Sequence, residues 1–432
     1  MAKLIFGDFD AERFWKNDND AILPRVTFKN NQRIVMGMEE LQILFCNQND
    51  IVYTRGPMNK QWIEYLGYIG FPCINLYFSG DGYQYNTPIA ELLYEDVLQS
   101  ESLDNIEIDE FAVTKYVKEC AEKYRMIGSV PEEKNVKKVN SKIYSSKMRT
   151  ELNLKNYAIE IYSVSDLENA IKKISENKKN VLLKEEYGVS GGGNLLLTSK
   201  SAQNRVIKMI QKQRNEGKNI NLIAEPFLDK KIDFSCQFYI SKSGEYKLNS
   251  IYQLYNEGLS YKESKKMDTS LLDSLEKQKY FQCMENISQR MYKDGYWGNV
   301  CVDSMILKSG EIVPIVEINA RKSMSLLKCY SDMFLGRMGL EGILTSFNFS
   351  IKNINFTFEY LIELIEKNEI MFNLKKGVGI IILSEKTLYI NRNASGYQGK
   401  FYFLSIGENR LIAEKYIDKL KEILTRIEMN IF

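Results

Sequence analysis

The 432-residue chain contains no histidine. That absence removes the Ser-His-Asp triad, the His-x-x-x-His metal site and the histidine proton switch. Chemistry must come from carboxylates, Lys, Arg, Cys, Tyr, backbone amides, or a hard metal ion held by oxygen. Excess charge is missing as well: 58 Lys+Arg face 56 Asp+Glu, a formal charge of +2, which argues against a nucleic-acid binder. The seven cysteines (46, 73, 120, 236, 283, 301, 329) form no Cys-x-x-Cys pair, and their odd number argues against a disulfide framework. No apolar run reaches the roughly 18 residues of a membrane span, and the opening apolar stretch Leu4–Phe6 is too short for a signal peptide. The expectation is a reduced, cytoplasmic, soluble protein. With 44% hydrophobic and 26% charged residues the composition is globular, and the length suits roughly two to three domains.

Residues 3–100 alternate short apolar runs with polar turns. Leu4–Phe6, Ile51–Tyr53 and Cys73–Phe78 read as strands, and Glu39–Phe45 and Lys60–Leu66 as helical pieces, together a small α/β layer. Val113, Val117, Cys120 and Tyr124 predict a helix across 109–126. The basic stretch 132–149 reads as a boundary with mostly solvated lysines. Ser165-Asp166-Leu167-Glu168 reads as a capping box before an amphipathic helix. Strands are expected at 181–184, 194–198, 221–225, 232–241, 246–253, 299–308 and 311–319, and helices at 201–216 and 271–293. The tail from about 340 reads as α+β: a helix at 357–367, strands at 378–383, 386–390 and 400–404, and a closing helix from Asn409.

Four motifs carry the chemistry. If the 299–319 hairpin turns through Ser309–Glu311, Asp303 sits opposite Glu317, and side-chain alternation places Asn319 on the same face as Glu317. Like charges so placed repel and call for a cation, and all-oxygen ligation suits Mg²⁺ or Mn²⁺. Two acids alone would read as an edge hairpin facing water; the string Glu317-x-Asn319-x-Arg321 favours a site. Arg321 could hold a phosphoryl oxygen or a substrate carboxylate. The second motif is Lys184 followed by Gly188-Val189-Ser190-Gly191-Gly192-Gly193. Its glycines allow backbone N–H groups to approach phosphate, although neither a P-loop nor a dinucleotide fingerprint is present. In the third, Glu225-Pro226-Phe227-Leu228 could read an adenine edge and pack on its ring, with Asp233 accepting from ribose; alone, it is also a plain strand terminator. The fourth is Lys142, equally a second phosphate contact or a surface lysine.

Taken in order, Lys142, Lys184 with Ser190–Gly193, Glu225–Leu228 with Asp233, and Asp303…Glu317-Ile318-Asn319 resemble the ATP-grasp superfamily over about residues 135–330. Glu317-Ile318-Asn319-Ala320-Arg321-Lys322-Ser323 is similar to the Glu-(Ile/Val)-Asn-Pro-Arg-x-Ser signature of carbamoyl-phosphate-synthase-type members, with Ala320 in place of Pro. The start, Gly7-Asp8-Phe9-Asp10, resembles a pre-ATP-grasp domain. The tail, with Gly377-Val378-Gly379-Ile380, Gly399-Lys400-Phe401-Tyr402 and Ser405-Ile406-Gly407, resembles that of the pheganomycin-type peptide ligases. The butirosin-pathway carrier-protein ligase is in the same broad neighbourhood.

The resemblance implies an α/β and α+β protein in four parts: an N-terminal α/β domain (1–130), a small lid subdomain with the glycine-rich loop (131–230), a large subdomain with the metal site (231–339) and a C-terminal α+β domain (340–432). It implies ATP and Mg²⁺ (or Mn²⁺) as cofactors and an ATP-dependent carboxylate–amine ligase acting through an acyl phosphate. Its substrates would be small-molecule or peptide carboxylates and amines, with an acyl-carrier protein thiol as the alternative acceptor. A nucleotide-binding regulatory protein and a kinase are the rival readings. Arg321 is the expected carboxylate clamp, and Arg55 a second candidate.

Overall fold

The structure, a computed structural model, describes all residues except 25–28, 81–85, 97–102, 189–191, 258–259, 353–355 and 392–395. Four sheets succeed one another along the chain. The first is parallel, in the order β3 (Ile74–Tyr77), β2 (Ile51–Thr54), β1 (Lys3–Phe6), β4 (Glu107–Glu110). Its central strands are buried on both faces, the usual condition of parallel pairing, which explains their continuous apolar reading. Helix Lys60–Tyr68 starts at Asn59, whose side chain accepts from the Trp62 N–H. The predicted helix at 109–126 is shorter: β4 occupies its first residues, and the helix runs only from Val117 to Lys123.

The second sheet is antiparallel, β5 (Ile159–Ile161), β8 (Leu222–Pro226), β6 (Val181–Glu185), β7 (Asn194–Leu197), under helices Val164–Glu176 and Lys200–Asn215. The first helix is capped by Ser163, not Ser165: its hydroxyl accepts from the Asp166 N–H, and the Asp166 carboxylate accepts from the Tyr162 N–H. Leu167, Ala170, Ile171 and Ile174 fill a small core of this layer's own, to which Ala21 and Leu23 of the N-terminal segment also contribute.

The third sheet holds β9 (Lys230–Ile240), β10 (Tyr246–Glu257), β11 (Ser260–Lys266), β12 (Gly298–Leu307) and β13 (Ile312–Asn319), all antiparallel, in the order β11-β10-β9-β12-β13. The helix expected at 271–293 is two, Thr269–Lys277 and Tyr280–Lys293, broken at Lys279 with φ 57°. The fourth sheet pairs β14 (Glu341–Ile351) with β16 (Tyr397–Gly407), with β15 (Gly379–Ile382) and β17 (Asn430–Ile431) at the edges. Here residues 386–389 are a helical turn and not the expected strand. The Lys386 ammonium reaches Glu39 and the Gly56 carbonyl, and the Thr387 N–H donates to Ser384. These ties outweigh the strand propensity of Thr-Leu-Tyr-Ile.

One continuous core runs through the first, third and fourth sheets, while the second keeps its separate one. Among the described residues no helix is long and apolar enough to cross a membrane.

Candidate active site

The basic stretch 132–149 is a pair of helices, Glu133–Asn140 and Lys142–Glu151, not a solvated linker. These helices cover the open edge of β13. The Ala320 N–H donates to Asn140 Oδ1 at 2.9 Å and the Ile318 N–H to Ser145 Oγ at 3.1 Å, which satisfies an edge that would otherwise need water. Ser141 lies between those two anchors and caps the second helix. Lys142 follows it and is thereby aimed at the strand: its ammonium lies 2.6 Å from Glu317 Oε1 and donates to the Gly188 carbonyl at 2.9 Å. Seven residues on, two turns along the same helix face, Arg149 is buried and donates to Glu225 Oε1 at 2.8 Å. Lys184 approaches the other oxygen of Glu225 at 2.6 Å. Burial pushes the Glu225 carboxyl up, but Lys184 and Arg149 outweigh it and hold the group down at about 2.

Across the cavity, Asp303 pairs with Glu317 in the β12–β13 register as expected. The route to that pairing differs from the expected one. The turn end pairs Ile306 with Ile312 and Met305 with Val313, and the ladder shifts before Asp303. The three residues Pro314, Ile315 and Val316 lie opposite Ser304 alone, and Ser304 Oγ donates to the Pro314 carbonyl at 2.7 Å. Proline cannot donate to a ladder, and a bulge is where a sheet tolerates it. The shift is an even number of residues, so the two carboxylates stay on one face. Burial first, and then the Glu317 charge, push Asp303 up to about 7. Asn319 Nδ2 donates to Asp303 Oδ2 at 3.1 Å.

Arg321 is clamped from the N-terminal domain. Its Nε and Nη2 both lie 2.6 Å from Glu12 Oε1, Nη1 donates to the Lys322 carbonyl at 2.9 Å, and Nη2 reaches Asn319 Oδ1 at 3.4 Å. Sequence reasoning did not find Glu12, which is 309 residues away. Arg149 was missed too, although its seven-residue offset from Lys142 was a readable signal. Arg55 is not among the residues lining the cavity: it is buried against Asp8 and Glu39.

One cavity of about 300 Å³ is lined by Lys184, Glu225, Asp233, Asp303, Glu317, Asn319 and Arg321. Phe227, 38% exposed, and Leu228 lie at the end near β8. The Phe227 N–H is already engaged by the Asn180 carbonyl at 2.8 Å. Asp233 is paired with Lys230, which also lines the cavity. Of the glycine-rich loop, Ser190 and Gly191 lie outside the described residues. Its root is fixed: the Glu185 N–H donates to the Gly193 carbonyl at 2.8 Å, and a Cβ at Gly188 would lie 2.1 Å from the Gly192 carbonyl oxygen, so the fold-back there requires glycine. Cys301 also lines the cavity, but burial and Asp303 push its thiol up to about 12, the wrong direction for a nucleophile.

Two half-buried carboxylates and an amide side by side form a donor set of hard oxygens, which fits Mg²⁺ or Mn²⁺. The raised Asp303 marks a charge that Lys142 alone does not balance. Among the described residues no three His, Cys, Asp or Glu side chains cluster as a metal site, so the amide of Asn319 is needed to complete the set.

No family model matches the chain. It is similar to the [butirosin acyl-carrier protein]–L-glutamate ligase of Niallia circulans, 26% identical over 159 residues, which are 37% of this chain and 37% of that protein. Among solved structures it resembles N5-carboxyaminoimidazole synthetase from Staphylococcus aureus, with TM-score 0.50 and 12% identity over 91% of this chain and 95% of that one. The corresponding synthase from Aspergillus clavatus, in complex with ADP and 5-aminoimidazole ribonucleotide, gives TM-score 0.51 and 12% identity over 88% and 99%. At these identities the likeness establishes the fold, and the chain has the ATP-grasp fold.

Proposed function

We propose that this ATP-grasp chain is an ATP-dependent carboxylate–amine ligase. The observation that carries the reading is the meeting, in one cavity, of Lys184 with the Asp303–Glu317–Asn319 set and Arg321, with Lys142 held on Glu317 behind that wall. ATP would lie between the lid sheet and the third sheet. Phe227 and Leu228 would lie against the base, and Lys184 and Lys142 along the phosphates. A Mg²⁺ or Mn²⁺ held by Asp303, Glu317 and Asn319 would neutralise phosphate charge.

The substrate carboxylate, oriented by Arg321, attacks the γ-phosphorus. The bond to the bridging oxygen breaks, ADP leaves with the electron pair, and an acyl phosphate remains. An amine then attacks the acyl carbon and phosphate departs. The amine proton passes to a carboxylate, to phosphate or to water, because the chain has no histidine to take it. Positioning and charge neutralisation supply most of such a rate. Glu225 holds two cations, so Lys184 can turn to a phosphate while Arg149 keeps the carboxylate paired.

The Niallia circulans relative supports a carrier-protein thiol as the alternative acceptor. The test supplies ATP, Mg²⁺, a carboxylate panel and either an amine or a carrier protein, and follows ADP and product mass. The ligase reading expects ADP with an amide or thioester. ADP with a stable phosphoester would mark a kinase, and nucleotide binding without ADP across the panel would mark a regulatory protein.

A further inference from the structure

The cavity changes character beyond Asn319. Phe111 stacks on Phe9 with centroids 4.2 Å apart, and the Arg321 guanidinium carbon lies 5.9 Å from the centroid of Phe111. Met38, Leu254 and Met324 add further apolar lining to the same cavity. Gly7 permits the stack: its φ is +140°, and a Cβ there would lie 2.5 Å from Phe111 Cβ. The aromatic pair is therefore built into the end of β1.

The capacity of this end for negative charge is small. A guanidinium has five N–H donors. Four are engaged by Glu12 (two), Asn319 and the Lys322 carbonyl. What remains is one Nη1 N–H and the first turn of helix Met324–Gly336, where Ser323 is the cap and Met324 and Ser325 line the cavity. That suffices for one carboxylate. Neighbouring lysines give nothing more: Lys322 is held by Asp109 at 2.6 Å, and Lys328 is paired with Asp332. The cavity's other two cations are already paired, Lys184 with Glu225 and Lys230 with Asp233. A second carboxylate would have to shed water against aromatic and thioether surface without a partner, which is costly.

Resting on the ligase reading above, we propose that this subsite selects an acid with a single carboxylate and an uncharged, apolar side chain, such as an amino acid of the leucine, methionine or phenylalanine kind. Glutamate and aspartate are rejected, in contrast to the glutamate named for the Niallia circulans relative.

The experiment uses the full chain with ATP, Mg²⁺ and hydroxylamine as a common nucleophile. Hydroxylamine nitrogen bonds to the acyl carbon, phosphate leaves with the electron pair, and the nitrogen's proton goes to water. The hydroxamate therefore reports which acid was activated. Leucine, methionine or phenylalanine should exceed glutamate by roughly 100-fold in kcat/KM. Glutamate turned over as well as any apolar acid overturns the subsite and leaves the ligase reading standing. Calorimetric titration of the same acids in the presence of ADP reads the subsite without turnover. Apolar acids that bind selectively but give no hydroxamate support the subsite and count against the ligase. Failure of every apolar acid to bind overturns the subsite. Met38→Arg, or Leu254→Lys should that variant fold poorly, adds the missing cation and should move the preference toward glutamate by about 10-fold; an unmoved preference in a folded variant also counts against it.

Discussion

The two walls of the cavity are balanced in opposite ways. On the lid side, Glu225 sits between Lys184 and Arg149, and its carboxyl is held at about 2. On the other side, Asp303 and Glu317 face each other with Lys142 touching only Glu317, and Asp303 rises to about 7. The first wall is complete by itself. In the second, burial and the Glu317 charge raise Asp303 and Arg321 offsets them only in part, an imbalance that fits the cation-binding role proposed above. The second sheet also carries its own small core, whereas the β12–β13 hairpin belongs to the large continuous one.

The comparison can be broken most severely on the Asp303–Glu317 side. Glu317→Gln should reduce hydroxamate or ADP formation by about 1000-fold or more, because it removes one of the two charged ligands proposed for the cation. Its melting temperature should stay close to the parent. Turnover within tenfold of the parent would remove Glu317 from the site.

On the lid side the larger effect is on stability. Glu225 is almost fully buried and its carboxyl lies at about 2 instead of 4.5. A depressed folded-state value contributes stability that is fully present above about 4.5 and is lost as pH falls through about 2. The contribution is about 3 kcal/mol. Urea unfolding at pH 6 and pH 2.5 should show that loss, and Glu225→Gln should show a correspondingly flatter acid limb; an unchanged limb would mean other groups carry the acid sensitivity. In the same triad, Lys184→Met should raise KM for ATP at least tenfold, and Arg149→Met should leave KM nearer the parent, which separates the phosphate contact from its support.

The smallest effect concerns how the lid is tethered. Lys16 donates to Glu185 Oε2 at 2.5 Å, and the Leu23 N–H donates to Oε1 at 2.8 Å. Lys16→Ala should cost about 1 kcal/mol, read as faster amide exchange in β6 and at the root of the glycine loop. Exchange in the C-terminal sheet should not change, since the lid's core is separate. Equal acceleration in both would show that the two cores open as one.

Much of the site was legible because strand alternation is a local rule. Asp303, Glu317 and Asn319 share a face whatever packs around them, and even the bulge at Pro314 keeps their parity. The bulge itself was signalled by a proline inside an apolar strand. Lys184 at the end of β6 and Glu225 at the end of β8 were placed by the same periodicity. Other features turned on competition between propensity and tertiary contact. Residues 386–389 alternate like a strand but form a helical turn fixed by Glu39, Gly56 and Ser384. The 132–149 stretch looks solvated because Lys134, Lys138 and Lys147 are exposed, while Lys142 and Arg149 on the inner face are buried.

The order of the motifs, the absence of histidine and the facing acids of one hairpin follow from the sequence alone. They depend on residue type and on spacings of a few residues. Which buried cations partner which acids was decided only by the tertiary structure. Arg55 is held by Asp8 and Glu39, Arg149 by Glu225, and Arg321 by Glu12 across 309 residues. An ion pair between segments so far apart carries no periodic signature. It exists because packing closes the loop between them and removes the water that would otherwise solvate each charge.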